Sequence, residues 1–270
     1  MEAKPFQILL TNDDGIQSPG IWAAAEALAE VGQVWVIAPR EQSTSAGRSH
    51  PYVSDGIISP YKKMINGREV QGYAVGASPA QVVHYAVREI LPQKPDLLVS
   101  GINYGCNTGF DITRSGTIGA ALEGANYGIR SLAVSVETTA EMAYSHSDTV
   151  DFAVSAVFTA RFARILLSTS FEEDARVLKV EVPVDATPET PWEIARLSPQ
   201  SLYLPDIPNR SDWSRPHKFA WHMEKDFSIF PEGSDTHTVF VKRHVAVTPL
   251  SLDLTARVDL SKFEQKLRQA

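Results

Sequence analysis

A chain of 270 residues with 43% hydrophobic content is long enough for one large or two small domains and apolar enough to bury a core. Its 25 Lys and Arg stand against 32 Asp and Glu, and the formal net charge of -7 repels a nucleic-acid polymer, so a small anionic ligand needs local positive charge or a metal ion. The single cysteine, Cys106, excludes an intrachain disulfide framework and a Cys-rich zinc site; without a signal-peptide pattern or an apolar run of membrane length, the expected setting is cytoplasmic, with no membrane partner.

The first expected element is a short strand through Ile8, Leu9 and Leu10 that runs into Asn12-Asp13-Asp14-Gly15. Ser18 can cap the helix that follows. Pro19 suits its first position, Ile21, Ala24, Ala25 and Leu28 form an apolar stripe, and Gly32 can end it. "QVWVIAP" from Gln33, "PDLLVSG" from Pro95 and "IRSLAVSV" from Ile129 read as strands with little polar alternation, as in a parallel sheet covered on both faces. Helices are expected at about residues 79–90, 117–127 and 149–167, with a further strand over about 177–183. This alternation predicts an α/β fold with a doubly wound, mostly parallel sheet. Between residues 185 and 231 prolines are frequent, Trp192, Trp213 and Trp221 appear, and long helical periodicity is lost. That stretch reads as an irregular, β-containing extension packed on the core or on a partner subunit. "HTVFVKRHVAVTPL" from His237 returns to strand-like alternation, so the expected organisation is a core over 1–184 and an extension over 185–270.

Ligands of open parallel sheets bind at the carboxyl ends of the strands. Three polar clusters fall there: Asn12-Asp13-Asp14, "REQSTSAGRS" from Arg40, and "INYGCNTGFDITRSGT" from Ile102. Adjacent carboxylates repel, and Mg²⁺ or Mn²⁺ would offset the repulsion; two Asp with a Ser and an Asn suit such hard cations better than zinc. The Asp-Asp-Gly segment equally fits a plain turn with a capping residue. Gly101, Gly105 and Gly109, with Asn103 and Asn107 between them, make a loop whose backbone can approach a ligand closely. Ser115, Gly116 and Thr117 open a small-residue-rich helix, whose N-terminus is either an anion site or an ordinary cap. The Walker lysine motif and the dinucleotide fingerprint are missing, which argues against kinase-type ATPases and dehydrogenases. Cys106 has no histidine close in sequence and reads as a passenger thiol. The seven histidines (His50, His84, His146, His217, His222, His237, His244) show no H-E-x-x-H spacing.

Taken together, "ILLTNDDGIQSPGI", "SGINYGCNTGFDITRSGTIGAALEG" and "VAVTPLSLDLT" resemble the signatures of the survival protein SurE family, metal-dependent nucleoside-monophosphate phosphatases. The resemblance covers most of the chain in order and is strongest over residues 8–20 and 97–136. It implies a Rossmann-like core and a C-terminal extension used in forming a homodimer or homotetramer. It also implies one divalent metal ion per subunit, Mg²⁺ or Mn²⁺, held by Asp13, Asp14, Ser43 and Asn103. "APREQSTSAGRS" is one residue shorter than the family spacing before Ser43, which leaves Thr44 and Ser45 as alternatives. Arg48 falls where the family carries a basic residue near the phosphate, and reads equally as a surface arginine. "VGASPAQVVHYAV" departs from the family's Gly-Thr-Pro-Ala segment at Ala77 and Ser78, and "EIARLSPQSLYLPDIPNRSDW" keeps little of its pattern.

The expected activity is hydrolysis of a nucleoside 5′-monophosphate, with the 3′ esters left open, by metal-activated water attacking in line. Asp13 and Asp14 are the expected catalytic pair. Asn12, Arg48, Asn107, Ser115, Gly116 and Thr117 are the expected phosphate site. Two rival readings remain: an aspartyl-phosphate enzyme using Asp13 or Asp14 as nucleophile, and a non-catalytic nucleotide-binding or regulatory module.

Overall fold

The computed structural model of the chain describes residues 4–65, 67–138, 149–207, 210–217 and 220–269. His146 lies outside the described residues. Ile8, Leu9 and Leu10 sit in strand β1 (Gln7–Thr11), all of which is buried. Ile8 and Leu10 pack with Trp22, Phe158 and Phe162, whereas Leu9 packs with Val82, Val83 and Ile118. A strand apolar on both faces needs a layer on each. Helices α1 (Pro19–Leu28) and α4 (Ala153–Ser168) supply one layer; α2 (Pro79–Tyr85) and α3 (Gly116–Asn126) supply the other. Each Leu or Ile buried in this way contributes about 1.5–3 kcal/mol.

Among the described residues nine strands form one sheet. From edge to edge they are β3 (Ile58–Ile65), β4 (Arg68–Val75), β2 (Gln33–Pro39), β1, β5 (Leu97–Tyr104), β6 (Arg130–Val136), β7 (Val177–Val182), β11 (Val245–Leu250) and β8 (Trp192–Ile194). Pairing is parallel except between β3 and β4 and between β7 and β11. The sheet is therefore Rossmann-like and mostly parallel, as expected. β1 pairs with β2 on one side and β5 on the other, so the chain winds away from β1 in both directions. The crevice of such a sheet lies where that direction changes, above the carboxyl ends of β1 and β5.

Three elements differ from expectation. The β3–β4 hairpin has no long apolar run because it stands at the sheet edge, and β3 alternates between half-buried and exposed residues, Lys62 and Met64 among the latter. The helix expected over about 79–90 ends at Tyr85 and passes into a wider π-type turn, Ala86–Ile90. The strand expected from His237 begins only at Val245, because Asp235–Phe240 is a helix, α5, whose cap Ser234 accepts the His237 N–H at 3.3 Å.

The extension adds β8 and β11 to the main sheet and forms an antiparallel ribbon of β9 (Tyr203–Pro205) and β10 (Trp221–Met223). An apolar cluster of Cys106, Leu202, Phe230 and Val239, with Tyr203 and Phe227 against it, ties it to the loop after β5. The terminal helix α6 (Leu260–Gln269) buries no residue. Among the described residues no helix is long and apolar enough to cross a membrane.

Candidate active site

Beyond Thr11 the chain turns sharply. The Asn12 side-chain amide donates to the Gly15 carbonyl at 3.0 Å, its oxygen accepts the Gly15 N–H at 3.1 Å, and Gly15 adopts φ of +90°. Asn12 thus shapes the turn and does not line the cavity it borders. The turn delivers Asp13 and Asp14, 5% and 3% exposed, to the wall of a cavity of about 350 Å³.

Asp13 meets the start of α3. The Gly116 and Thr117 backbone amides and the Thr117 hydroxyl all donate to its carboxylate. The anion seated at this helix N-terminus is therefore a side chain of the protein itself. A Cβ on Gly116 would lie 2.6 Å from the Asp13 Cβ, so glycine is what permits the approach. Gly116 and Thr117, expected at the phosphate, are committed to Asp13. Ser115 caps α3, accepting the Ile118 N–H at 3.2 Å, and lines the cavity.

Asp14 accepts the Tyr104 N–H at 3.3 Å and the Gln42 side-chain amide at 3.1 Å. Burial pushes the affinity of both carboxyls for protons above the ordinary value. The Asp14 carboxyl rises well above it because the Asp13 charge adds to burial, whereas the donors around Asp13 restrain its rise. Asn103 commits its amide nitrogen to the Tyr104 and Gly105 carbonyls at 3.1 and 2.7 Å, so its Oδ1 is the atom left to offer a ligand.

The loop after β2 distributes its hydroxyls unevenly. Ser43 donates its N–H to the Asp13 carbonyl at 2.7 Å, its hydroxyl lies 3.5 Å from the Glu41 carbonyl, and it lines the adjoining cavity with Arg40 and Ser78. Thr44 and Ser45 line the cavity of the two carboxylates, Ser45 with φ of +61°. The residue that follows the expected ligand therefore faces the site. Arg48 does not line this cavity; its Nε lies 2.6 Å from Glu123 on α3. The guanidinium at the cavity is that of Arg114, paired with Asp111 at 2.9 Å and lying 4.0 Å from the Trp221 ring centroid.

Two carboxylates, the Asn103 oxygen and the Thr44 or Ser45 hydroxyl form an all-oxygen donor set that fits Mg²⁺ or Mn²⁺. The Thr138 hydroxyl, buried at the same cavity, has no hydrogen-bond partner among the described residues. Cys106 is buried there as well, and burial together with the Glu181 carboxylate keeps its thiol protonated.

The family profile described as Survival protein SurE matches residues 8–203. The chain belongs to the survival protein SurE family. A protein named 5′-nucleotidase SurE from Thermococcus gammatolerans is 38% identical, the match covering 97% of this chain and 96% of that one. Another of that name from Methanosarcina mazei is 37% identical over 97% of each chain. The crystal structure of the SurE protein from Aquifex aeolicus matches with a TM-score of 0.73 at 30% identity, covering 97% of this chain and 98% of that one. The SurE-matched span contains Asp13, Asp14, the loop after β5 and Tyr203, while Trp221 and α5 lie beyond it.

In this SurE chain several residues that hold the cavity's loops in place escaped sequence reasoning. Lys179, fully buried on β7, lies 2.8 Å from Asp235 and 3.5 Å from Glu181. Asp235 also accepts the Gly109 N–H at 3.0 Å, and Glu181 accepts the Asn107 N–H at 3.0 Å. The Asn107 side chain donates to Ser135 at 3.0 Å. Asp111 accepts the Leu202 and Tyr203 N–H groups at 2.9 and 3.1 Å, fixing Tyr203 at the cavity. The one local signal was a Lys and a Glu inside the apolar run "VLKVEV", where charges occur only with buried partners.

Proposed function

We propose that this chain is a divalent-metal-dependent phosphomonoesterase that hydrolyses nucleoside monophosphates to nucleoside and inorganic phosphate. The observation that carries the reading is the buried Asp13–Asp14 pair sharing one cavity with Asn103, a hydroxyl-bearing loop and an Arg-aromatic platform. The relatives named 5′-nucleotidase SurE support it. Asp13, Asp14, Asn103 and the hydroxyl of Thr44 or Ser45 would hold one Mg²⁺ or Mn²⁺ per subunit, which when bound supplies charge to the phosphoryl oxygens and an acidified water.

The chain's own groups do the remaining work. Thr117 and the α3 amides keep Asp13 in one orientation, so its carboxylate needs no rearrangement during the reaction. Ser115 and Asn107 offer hydrogen bonds to the phosphate, and Arg114 brings positive charge to a chain with a net charge of -7. Arg114 stacked on Trp221 presents a flat surface of the kind on which a nucleobase stacks.

The test is release of inorganic phosphate from AMP and GMP with Mn²⁺ or Mg²⁺, repeated after chelation. Purified protein that binds the nucleotide yet releases no phosphate in either metal overturns the proposal. A trapped phosphoryl-aspartate would assign the chemistry to the aspartyl-phosphate rival.

Trp221→Ala is expected to raise KM for AMP by roughly tenfold, since a stacked base is worth about 1–3 kcal/mol. Hydrolysis of a phosphate ester without a base should be unchanged, which separates stacking from misfolding. Gly116→Ala is expected to displace Asp13 and lower kcat, with a stability loss of about 1–3 kcal/mol from overpacking, read by thermal melting.

We also propose that α6 serves assembly into a dimer or tetramer. Leu260, Phe263 and Leu267 share one helical face and are 60%, 53% and 65% exposed. Deleting residues 251–270 is expected to lower the mass measured by light scattering; an unchanged mass would refute the assignment.

A further inference from the structure

On the α2–α3 side of the sheet, away from the cavity of Asp13 and Asp14, three side chains distant in sequence converge. His50 lies within the loop between β2 and β3, His84 lies on α2 and Glu123 on α3. The His84 Nε2 lies 3.4 Å from Glu123 Oε1, and the His50 Nε2 lies 3.7 Å from Glu123 Oε2. One ligand atom from each residue falls within 4.8 Å of the others. In a tetrahedral zinc site with bonds of about 2.0–2.1 Å, neighbouring ligand atoms are about 3.4 Å apart. With Glu123 binding through Oε1, the His84 separation matches one edge of such a tetrahedron, while the His50 separation is to the other oxygen, Oε2. Closing the remaining gap takes a small shift of His50, whose side chain is 42% exposed on a surface loop.

We propose that His50, His84 and Glu123 form a second metal site, selective for zinc or a similar imidazole-seeking transition metal. Two nitrogens and one carboxylate are the donor chemistry of such ions, whereas the Asp13 and Asp14 site offers oxygen alone. The site is also supported from behind. His84 Nδ1 is bonded to the Tyr127 hydroxyl, which orients the ring with Nε2 toward Glu123. Asn126 donates to Glu123 Oε1 at 3.1 Å, and the Glu123 side chain is 2% exposed, so the carboxylate is held in place.

Arg48 and, at His84, Arg88 oppose the ion, Arg48 most directly. The Arg48 Nε sits 2.6 Å from Glu123 Oε2 and supplies the positive charge the buried carboxylate requires. Arg48 is 39% exposed and can swing into solvent, so it acts as a resident cation that zinc displaces. The consequence reaches the other cavity through the loop itself. The Ser49 carbonyl accepts the Ser78 hydroxyl at 2.6 Å and Gly47 donates its N–H to the Arg114 carbonyl at 2.8 Å. Zinc at His50 would pin the same segment that carries Thr44 and Ser45 to the phosphomonoesterase cavity.

The experiment is calorimetric titration of Zn²⁺ into the chelator-stripped full chain, with excess Mg²⁺ present to fill the oxygen site. One equivalent of zinc should bind per chain. It should persist in Asp14→Asn and be lost in both His50→Gln and His84→Gln; His50 is a surface residue, so its variant keeps the test valid if His84→Gln fails to fold. Arg48→Ala should tighten zinc binding by roughly tenfold, a change of about 1.4 kcal/mol, and Tyr127→Phe should weaken it by roughly tenfold. Zinc that fails to bind under excess Mg²⁺ overturns the proposal. So does zinc lost with Asp14→Asn but retained in the histidine variants, and so does an Arg48→Ala variant that binds zinc more weakly.

Discussion

Asp14→Asn is expected to abolish phosphate release while raising the melting temperature of the metal-stripped protein. The activity arm follows from the proposed cation site. A bound divalent ion supplies several kcal/mol of charge stabilisation in the transition state. Each step of about 1.4 kcal/mol is tenfold in rate, so kcat/KM should fall by roughly a thousandfold or more. The stability arm follows from burial. Between the ordinary carboxyl value of 3.8 and the raised values, the folded chain holds protons that the unfolded chain has released. The associated stability is full below 3.8 and is lost as pH rises through the raised values. Ionising either carboxyl in its buried site opposes folding, and an amide in place of Asp14 removes one of the two ionisable groups without changing shape. Melting curves of stripped protein across this range should converge with those of Asp14→Asn at the acid end and separate as pH rises. Added Mn²⁺ should restore the wild-type curve and leave the variant unmoved. Full activity in Asp14→Asn would remove the metal site from the account.

Lys179→Met is expected to cost about 3–5 kcal/mol of unfolding free energy, the range for breaking a buried ion pair. That is a large share of the roughly 5–15 kcal/mol typical of a folded domain. Burial alone would lower the Lys179 affinity for its proton, but Asp235 and Glu181 reverse the effect and keep the ammonium charged. Without it, two carboxylates remain buried with no counter-ion in this network. A urea midpoint shifted far downward, or insoluble protein, is the expected result. Lys179→Met combined with Asp235→Asn should recover part of the loss, because one stranded charge is removed. A single variant as stable as the parent would show that the network contributes little.

Much of the fold was legible because β1, β5, β6 and the second half of β2 are buried on both faces and so carry apolar residues with little polar alternation. The β3–β4 hairpin was not, since an edge position lets Lys62 and Lys63 stand where a central strand would carry Val or Ile. α5 was misread as a strand because "HTVF" alternates, and only the Ser234 cap and the tertiary hold of Lys179 on Asp235 decide otherwise. At the candidate site, Asp13, Asp14, Asn103, Asn107 and Ser115 were singled out by their places at strand ends and at a helix start, and the structure brings all five to one cavity. Ser43 lies outside that cavity, since which of three consecutive hydroxyls faces inward depends on a positive φ at Ser45 that composition does not announce. Arg48 was separated from Arg114 only by Glu123, a partner 75 residues away.

The order of strands in the sheet has a bearing on synthesis. β8 is made before β11 but reaches the sheet only through it, and Asp235 opens α5, the helix that comes between them in the chain. A nascent polypeptide halted before Asp235 would carry its acidic doublet, and Glu181 to hold Asn107, yet lack the carboxylate that holds the Gly109 N–H. Competence for chemistry should consequently wait until synthesis has passed Asp235, and products terminated before it should be inert.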